Sequence, residues 1–243
     1  MSEEKVPRGE HAFGDWSCMA LSPDLIVVSS GEPRLFSAGI EARVDTIWAG
    51  AKAARPALFN GRVFCADRVT PERIEGHWTD YRHALAQIED PLIFGDRPLR
   101  QLAVCGGLRC SGGFVIARRA PLSLYLGGFW QSPPAGTVES RDGCDDISLA
   151  DQIAAEAGEE IGLTRDELEI GHPLIAVTHM ATQIVDIGIP LTTRLSFDEI
   201  RRRWSTKGNR EYDQLALIAD GESSAWRGRE DILPTTRRLF EVL

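Results

Sequence analysis

The sequence lacks the features that mark membrane, secreted or nucleic-acid-binding proteins. Its apolar runs are only strand-sized, so we expect no segment to span a membrane. The opening MSEEKVPRGE is charged and has no hydrophobic run, so we expect no secretory signal and a cytoplasmic protein. Positive charge is also scarce: 27 basic against 36 acidic residues give a net charge of -9 and a pI near 5.1. That balance argues against nucleic acid and anionic membranes as partners, whereas a small anionic ligand needs only local positive charge.

Cysteine is sparse and irregularly placed. An odd number of scattered cysteines does not form a disulfide framework. The one close pair, a C-x4-C spacing, has no second pair to complete a zinc site, so we expect free thiols. The five are Cys18, Cys65, Cys105, Cys110 and Cys144.

The first part of the chain alternates helical and strand patterns. Apolar residues recur at helical spacing over 39–51 until Pro56 ends the pattern, and 62–66 is typical of a strand. The segment 77–88 is predicted to form a second helix with Thr79 as its N-cap. A loop before residue 98 suggests a boundary between an N-terminal α/β region, 1–98, and a second domain, 99–243.

The second part also mixes strands and helices, which predicts an α/β fold. Its first strands end at Cys105 and at the pair Arg118 and Arg119. Ser148 begins a capping-box pattern, so a helix should run from there to about Glu160. Further strands are predicted at 173–177, 184–189 and 215–219, and further helices at 197–204 and from 234.

Three glutamates stand out on the predicted helix. Glu156, Glu159 and Glu160 are three and four residues apart, which places them on one stripe. Between Glu139 and Glu160 there are eight acidic residues and one base, Arg141. Such crowding of like charge suggests a missing divalent cation, although a solvated helix face would carry the same acids. The stripe borders the apolar face, which favours a site at the seam between helix and sheet.

The flanking residues resemble the Nudix box, G-x5-E-x7-R-E-U-x-E-E-x-G-U with U aliphatic. Residues 134–139, PAGTVE, resemble its opening, and 155–163, AEAGEEIGL, its second half. Asp142 replaces the first glutamate, Ala155 replaces the arginine, and the connector 143–154 has twelve residues instead of seven. The resemblance implies a Nudix α/β/α sandwich with an additional N-terminal α/β region.

The resemblance also implies a chemistry. Nudix enzymes hydrolyse nucleoside diphosphates linked to another group, with Mg2+ (or Mn2+) and water. By this analogy Glu156 and Glu160 are the strongest metal ligands, and Glu159 is a helper or base. The family arginine normally orients the glutamates through an ion pair. Ala155 therefore implies weaker metal binding, a replacement base from elsewhere, or loss of activity.

Segments 44–48, 54–61 and 79–82 resemble one Nudix branch, which includes UDP-glucose pyrophosphatase. The box of that branch also carries an insertion and lacks the arginine. Trp48 and Phe59 are more simply core aromatics. The candidate substrate contacts are Tyr81 and Arg82, an aromatic beside a base, together with Gly136 and Arg118, with Arg119 as the alternative of its pair.

The sequence therefore predicts a pyrophosphatase acting on a nucleotide sugar such as UDP-glucose, giving UMP and glucose 1-phosphate. ADP-ribose or another nucleoside diphosphate derivative is a second candidate substrate. A catalytically weak domain that only binds nucleotide is the third reading, favoured by Ala155. Outside the box, His179, Glu211 and Asp213 are candidate bases. Because dimers are frequent in the superfamily, the resemblance also favours a homodimer.

Overall fold

The computed structural model describes residues 16–30, 32–141 and 146–243. Asp142 and Cys144, which the sequence analysis considered, lie outside these ranges. The helices are α1 (Ala38–Ala54), α2 (Tyr81–Glu89), α3 (Leu149–Glu156), α4 (Phe197–Lys207), α5 (Ser223–Arg227) and α6 (Pro234–Val242). The strands are β1 (Trp16–Ala20), β2 (Ile26–Ser29), β3 (Arg62–Val69), β4 (Arg73–Asp80), β5 (Leu102–Ser111), β6 (Gly113–Arg119), β7 (Trp130–Gln131), β8 (Ala135–Thr137), β9 (Glu169–Ile170), β10 (Ile175–His179), β11 (Val185–Ser196) and β12 (Tyr212–Ala219).

A mixed sheet forms the centre of the molecule. Its main strand order is β1-β10-β11-β5-β6-β12, and the short strands β7, β8 and β9 pair with β6, β5 and β11, respectively. The central strands β5 and β11 are parallel, and the pairs β10–β11, β5–β6 and β6–β12 are antiparallel. Both central strands are largely buried, as expected for strands covered on two faces.

Helices cover both faces of this sheet. On one face, Ile153 and Ala157 pack into the main core with Val104 and Ile187. On the other face, Leu239 of α6 packs against strand β10. The α/β sandwich expected from the sequence is therefore confirmed, because successive strand residues supply apolar side chains to opposite helical layers.

A second sheet, ordered β2-β4-β3, lies beside helices α1 and α2. Strand β3 also contacts the large sheet, because the Phe64 amide donates to the Val138 carbonyl at 2.9 Å. Phe64 and Trp78 share the main core with Leu102. The domain boundary near residue 98 stays a prediction, and the segments on its two sides share one core.

The N-terminal part differs from the sequence prediction in three places. One is Phe59, which was expected in the core and is 81% exposed. Residues 77–80 belong to β4 instead of a helix, so Asp80 rather than Thr79 occupies the N-cap position of α2. The cause is strand pairing: Trp78 lies opposite Phe64, and tertiary contacts override a weak helical pattern. Strand β1, which was not predicted, pairs with β10 in the large sheet.

Helix α3 begins where the sequence predicted. The Ser148 hydroxyl accepts a hydrogen bond from the Asp151 amide, and the helix continues into a π-helical turn, Ala157–Ile161. Gly162, in the left-handed conformation (φ 73°), ends that turn. Across the described ranges, we find no helix with the length and apolarity that crossing a membrane requires.

Candidate active site

Helix α3 and its π-helical turn carry the three glutamates to the edge of the sheet. Glu156 and Glu160 are buried, with 9% and 2% of their surface exposed, whereas Glu159 is exposed. Glu156 and Glu160 thus lie at the seam between helix and sheet, as the helical spacing of the glutamates predicted. Two carboxyl groups in a protein interior require specific polar partners.

The Glu160 carboxyl group is held from two sides of the fold. Its Oε2 accepts hydrogen bonds from the Ala135 amide at 2.9 Å and from the Tyr212 hydroxyl at 2.8 Å. Burial raises the pKa of Glu160 well above its ordinary range, and the nearby Glu156 carboxylate raises it further. Burial likewise raises the pKa of the Tyr212 phenol, so Tyr212 remains a hydrogen-bond donor.

The Glu156 carboxyl group is held within its own helix and against strand β8. Its Oε1 accepts a hydrogen bond from Gln152 at 2.6 Å. Gly136 lies so close that a β-carbon there would overlap the carboxyl group. Burial raises the pKa of Glu156 to about 7, with a further contribution from Glu159. Glu156 therefore keeps its proton to a higher pH than a solvent-exposed glutamate, because its protein partners do not fully compensate a negative charge there.

Arg141 supplies positive charge to this group of acids. Its guanidinium lies 3.3 Å from Glu156 Oε1 and 3.0 Å from Glu159 Oε1, so it bridges the two side chains. Burial opposes the charge on Arg141, but the hydrogen bond to Glu159 and the surrounding carboxylates raise its pKa above the ordinary value.

The glutamates line a cavity of about 310 Å³. The residues lining it include Tyr81, Arg119, Tyr125, Gly136, Asn209 and Glu211. This volume lies at the lower end of the range for small-molecule sites. The cavity combines carboxylates, a guanidinium and two phenol rings, which suits a ligand with both phosphate and ring-shaped parts.

Arg119 is fixed in the cavity wall by three contacts. It pairs with Glu211 at 2.8 Å, donates to the Tyr125 carbonyl at 2.9 Å, and donates to Gln131 at 3.1 Å. Gln131 in turn donates to the Tyr212 hydroxyl at 2.7 Å. A continuous hydrogen-bonded chain therefore links Arg119 to Glu160.

Of the predicted substrate contacts, Tyr81 and Gly136 line the cavity and Arg118 does not. Because successive strand residues point to opposite faces, Arg118 faces away and forms a bidentate ion pair with Asp213 at 2.8–2.9 Å. Arg119 therefore replaces Arg118 as the candidate phosphate contact.

Arg82 also lies outside the cavity lining. It pairs with Glu41 at 3.0 Å and also with Asp45 and Asp80 in the N-terminal part. Three carboxylates compensate its charge, so its position favours a structural role. Beside it Tyr81 makes an edge-on contact with Trp48, with ring centroids 6.3 Å apart.

The candidate bases also fall into different places. Glu211 lines the cavity, whereas Asp213 is paired with Arg118. His179 is buried under Tyr125, whose hydroxyl lies 2.8 Å from its Nδ1, and it stacks on Trp16 at 4.4 Å. The position of His179 favours a structural role, supporting the wall of the cavity.

Sequence reasoning missed Gln152 and Tyr212. Gln152 lies one helical turn before Glu156, so its i, i+4 spacing was a usable signal. Tyr212 comes from β12, 52 residues beyond Glu160. No local pattern connects those two positions, because the contact depends on strand order.

The donor chemistry of the site fits a hard divalent cation. Glu156 and Glu160 offer carboxylate oxygens, and the protein hydrogen bonds described above fall on one oxygen of each. Within the described ranges, no three acidic, histidine or cysteine side chains converge into a ready-made metal site. The candidate ligands are the two buried carboxylates, Glu156 and Glu160, while Glu159 lies exposed at the rim of the cavity.

Comparisons with known proteins find similar solved structures, and some of these are Nudix hydrolases. No protein-family model matches the sequence, and no curated protein matches it significantly. DR0079 from Deinococcus radiodurans shares 17% identity and a TM-score of 0.43, over 59% of this chain and 82% of that one. RenU, a Nudix hydrolase from M. smegmatis, shares 19% identity and a TM-score of 0.42, over 59% and 83%.

A further similar structure is a bifunctional NMN adenylyltransferase/ADP ribose pyrophosphatase from Francisella tularensis, complexed with AMP and a Mn ion. It shares 14% identity and a TM-score of 0.42, over 65% of this chain and 45% of that one. With TM-scores below 0.5, these likenesses by themselves assign no activity to this chain.

Proposed function

We propose that this chain is a Nudix-type pyrophosphatase that hydrolyses a nucleoside diphosphate-linked substrate with the help of a divalent cation, Mg2+ or Mn2+. The proposed substrate is a nucleotide sugar such as UDP-glucose, cleaved to UMP and glucose 1-phosphate. One observation carries the proposal: Glu156 and Glu160 are buried together in the wall of a cavity that also contains Arg119. Pyrophosphate hydrolysis needs this combination of cation ligands and phosphate-binding charge.

The three glutamates would have different roles according to how deeply each is buried. Glu156 and Glu160 would be the principal ligands of the cation, and exposed Glu159 would assist them or act as base. A bound divalent cation neutralises charge on the phosphates and lowers the pKa of a coordinated water. The Ala135 amide and Tyr212 hydroxyl keep Glu160 in one orientation, so that little reorganisation is needed on binding.

The cavity wall would bind the rest of the substrate. Arg119 presents a guanidinium already fixed by Glu211 and Gln131, and a fixed guanidinium suits a phosphate oxygen. Tyr81 and Tyr125 provide aromatic surface for a base or a sugar. Glu211 is the candidate base outside the glutamate helix, because it lines the same cavity.

A nucleotide panel tests the proposal. Product release from UDP-glucose, other nucleotide sugars and ADP-ribose is measured with Mg2+ or Mn2+ for the wild type and Glu160→Gln. We expect turnover by the wild type and a loss of activity of more than about 100-fold in the variant. Mutation of a residue that only supports a metal ligand already costs about 10–100-fold in metal affinity or activity. Glu241 is an exposed residue of α6, and Glu241→Gln is the matched control, which should retain wild-type activity.

The panel also separates the alternatives. Preferential cleavage of ADP-ribose would keep the reaction class and replace the nucleotide sugar as substrate. If neither the wild type nor Glu160→Gln cleaved any substrate while both still bound nucleotide, the chain would be a nucleotide-binding module and the enzymatic proposal would be wrong.

A further inference from the structure

Ala155 cannot form the ion pair that the arginine of the resembled motif makes with the neighbouring glutamates. The fold brings another guanidinium to that helix. Arg141 precedes α3 in sequence, yet its Nη2 and Nη1 reach Glu156 and Glu159 at 3.3 and 3.0 Å. Its Nε lies 3.5 Å from Gln152 Oε1. Arg141 thus contacts side chains from two successive turns of the helix.

These contacts hold Glu156 against a fixed surface. Its Oε1 accepts hydrogen bonds from both Gln152 and Arg141. On the other side, Gly136 leaves just enough room for the carboxyl group. Gln152 is itself held, because it donates to the Thr137 carbonyl at 2.8 Å. A guanidinium presents its donors in a rigid planar fork, so one side chain can fix two carboxylates at once.

The charge distribution also points to Arg141. It is the one base among eight acids between Glu139 and Glu160. Without it, Glu156 and Glu159 would face each other with no cation near them in this stretch of sequence. Like charges on adjacent turns destabilise a helix and separate when they are free to move.

We infer that Arg141 is a positioning residue that replaces the missing arginine at position 155, holding Glu156 and Glu159 in the orientation in which they bind a divalent cation. The inference rests on the proposed function, because it assigns Arg141 a role toward the same cation. It predicts that cation affinity depends on Arg141, although Arg141 itself contributes no ligand.

Binding of Mn2+, followed by electron paramagnetic resonance or calorimetry, tests this role apart from turnover. Arg141→Ala should weaken Mn2+ binding about 10- to 100-fold, the usual effect of removing a partner of metal ligands. Added guanidinium ion should restore part of the affinity in Arg141→Ala, and Arg141→Lys should be intermediate. Arg118→Ala removes an arginine–carboxylate ion pair that lies away from the cavity, and this variant should bind Mn2+ like the wild type.

The outcomes separate the two proposals. If Arg141→Ala bound Mn2+ as tightly as the wild type or more tightly, Arg141 would be neutral or a competitor of the ion, and the inference would be wrong. Dependence on Arg141 without turnover of any nucleotide would leave the inference standing and overturn the proposed function. A wild type that bound no Mn2+ would overturn both. If Arg141→Ala failed to fold, the Mn2+ affinity of Arg141→Lys would decide. A reduced affinity would support the inference, and a wild-type affinity would overturn it.

Discussion

At the scale of single residues, the site depends on close contacts around Glu156. Gly136 of β8 belongs to the opening of the resembled motif, and Glu156 belongs to its second half. In the structure the two touch, because Gly136 has no side chain to displace the carboxyl group. The glycine therefore serves a close approach between strand and helix.

Gly136→Ala tests this contact. A β-carbon at position 136 would overlap the Glu156 carboxyl group, so the carboxyl group must move. We expect kcat/KM for the proposed substrates to fall by about 100-fold, because misplacement of a reacting group by about 1 Å has that effect. Circular dichroism should show a folded protein.

Gly50→Ala is the control for Gly136→Ala. Gly50 is exposed within α1, and a β-carbon there meets no atom within 4 Å. This variant should retain full activity and gain up to about 1 kcal/mol of stability from helix propensity. Wild-type activity in Gly136→Ala would contradict the proposed importance of the contact.

At the scale of elements, helix α3 and its π-helical turn determine which glutamates face inward. Glu156 ends the α-helical part and Glu160 lies in the π-helical turn, and both are buried while Glu159 is exposed. The N-cap at Ser148 stabilises the start of α3. Gly162, in the left-handed conformation, ends the π-helical turn. Wider helical turns of this kind frequently occur at functional sites.

Ser148→Ala tests the start of α3. Loss of the hydroxyl leaves the Asp151 amide without its capping partner, which typically costs about 1 kcal/mol. For a chain of this size we expect the melting temperature to fall by roughly 2–4 °C. Ser205→Ala, on an exposed turn of α4, should change it by less. An unchanged melting temperature in Ser148→Ala would show that packing alone holds the helix start.

At the scale of the whole molecule, the site joins segments that are far apart in sequence. The Ala135 amide, the Tyr212 hydroxyl and Glu160 meet at one carboxylate oxygen. They meet because of the strand order: β12, which carries Tyr212, pairs with β6, and β8, which carries Ala135, pairs with β5. Strand β6 also pairs with β7. Burying the acids there costs stability that the rest of the core must offset.

The stability of the metal-free protein should therefore fall as pH rises from about 4.5 to 7. The pKa of Glu156 is raised to about 7 by burial, from an ordinary value of 4.5. Between these values the folded state keeps a proton that the unfolded state has lost, so the free energy of unfolding decreases with pH. The difference corresponds to about 3 kcal/mol at most for Glu156. The raised pKa of Glu160 acts in the same direction.

Urea unfolding at pH 5 and pH 8 with EDTA measures this effect. Glu156→Gln cannot titrate, so its stability should decrease less between the two pH values than that of the wild type. Glu241→Gln, at the exposed C-terminal end of α6 and outside the cavity lining, should retain the wild-type difference. Equal pH dependence in the wild type and Glu156→Gln would show that the buried carboxyl group is not the source.

The sequence predicted the elements whose patterns are local. The apolar repeat and Ser148 located α3, and the spacing of the glutamates placed Glu156 and Glu160 at a seam with the sheet. Prediction was wrong at 77–80, where pairing with β3 decides in favour of a strand. It named Arg118 as the substrate contact and Arg119 as the alternative, but only Arg119 lines the cavity. Strand alternation requires that the two side chains point to opposite faces without saying which face borders the cavity.

The sequence by itself determined the α/β class, the helix that carries three acids, and the excess of negative charge around them. Local propensity, periodicity and composition act within a few residues, so they can be read directly from the chain. Only the tertiary structure decided that Arg141 reaches Glu156, that Tyr212 reaches Glu160, and that Arg119 enters the cavity. Those contacts depend on strand order and helix docking, which bring together residues that no local pattern relates.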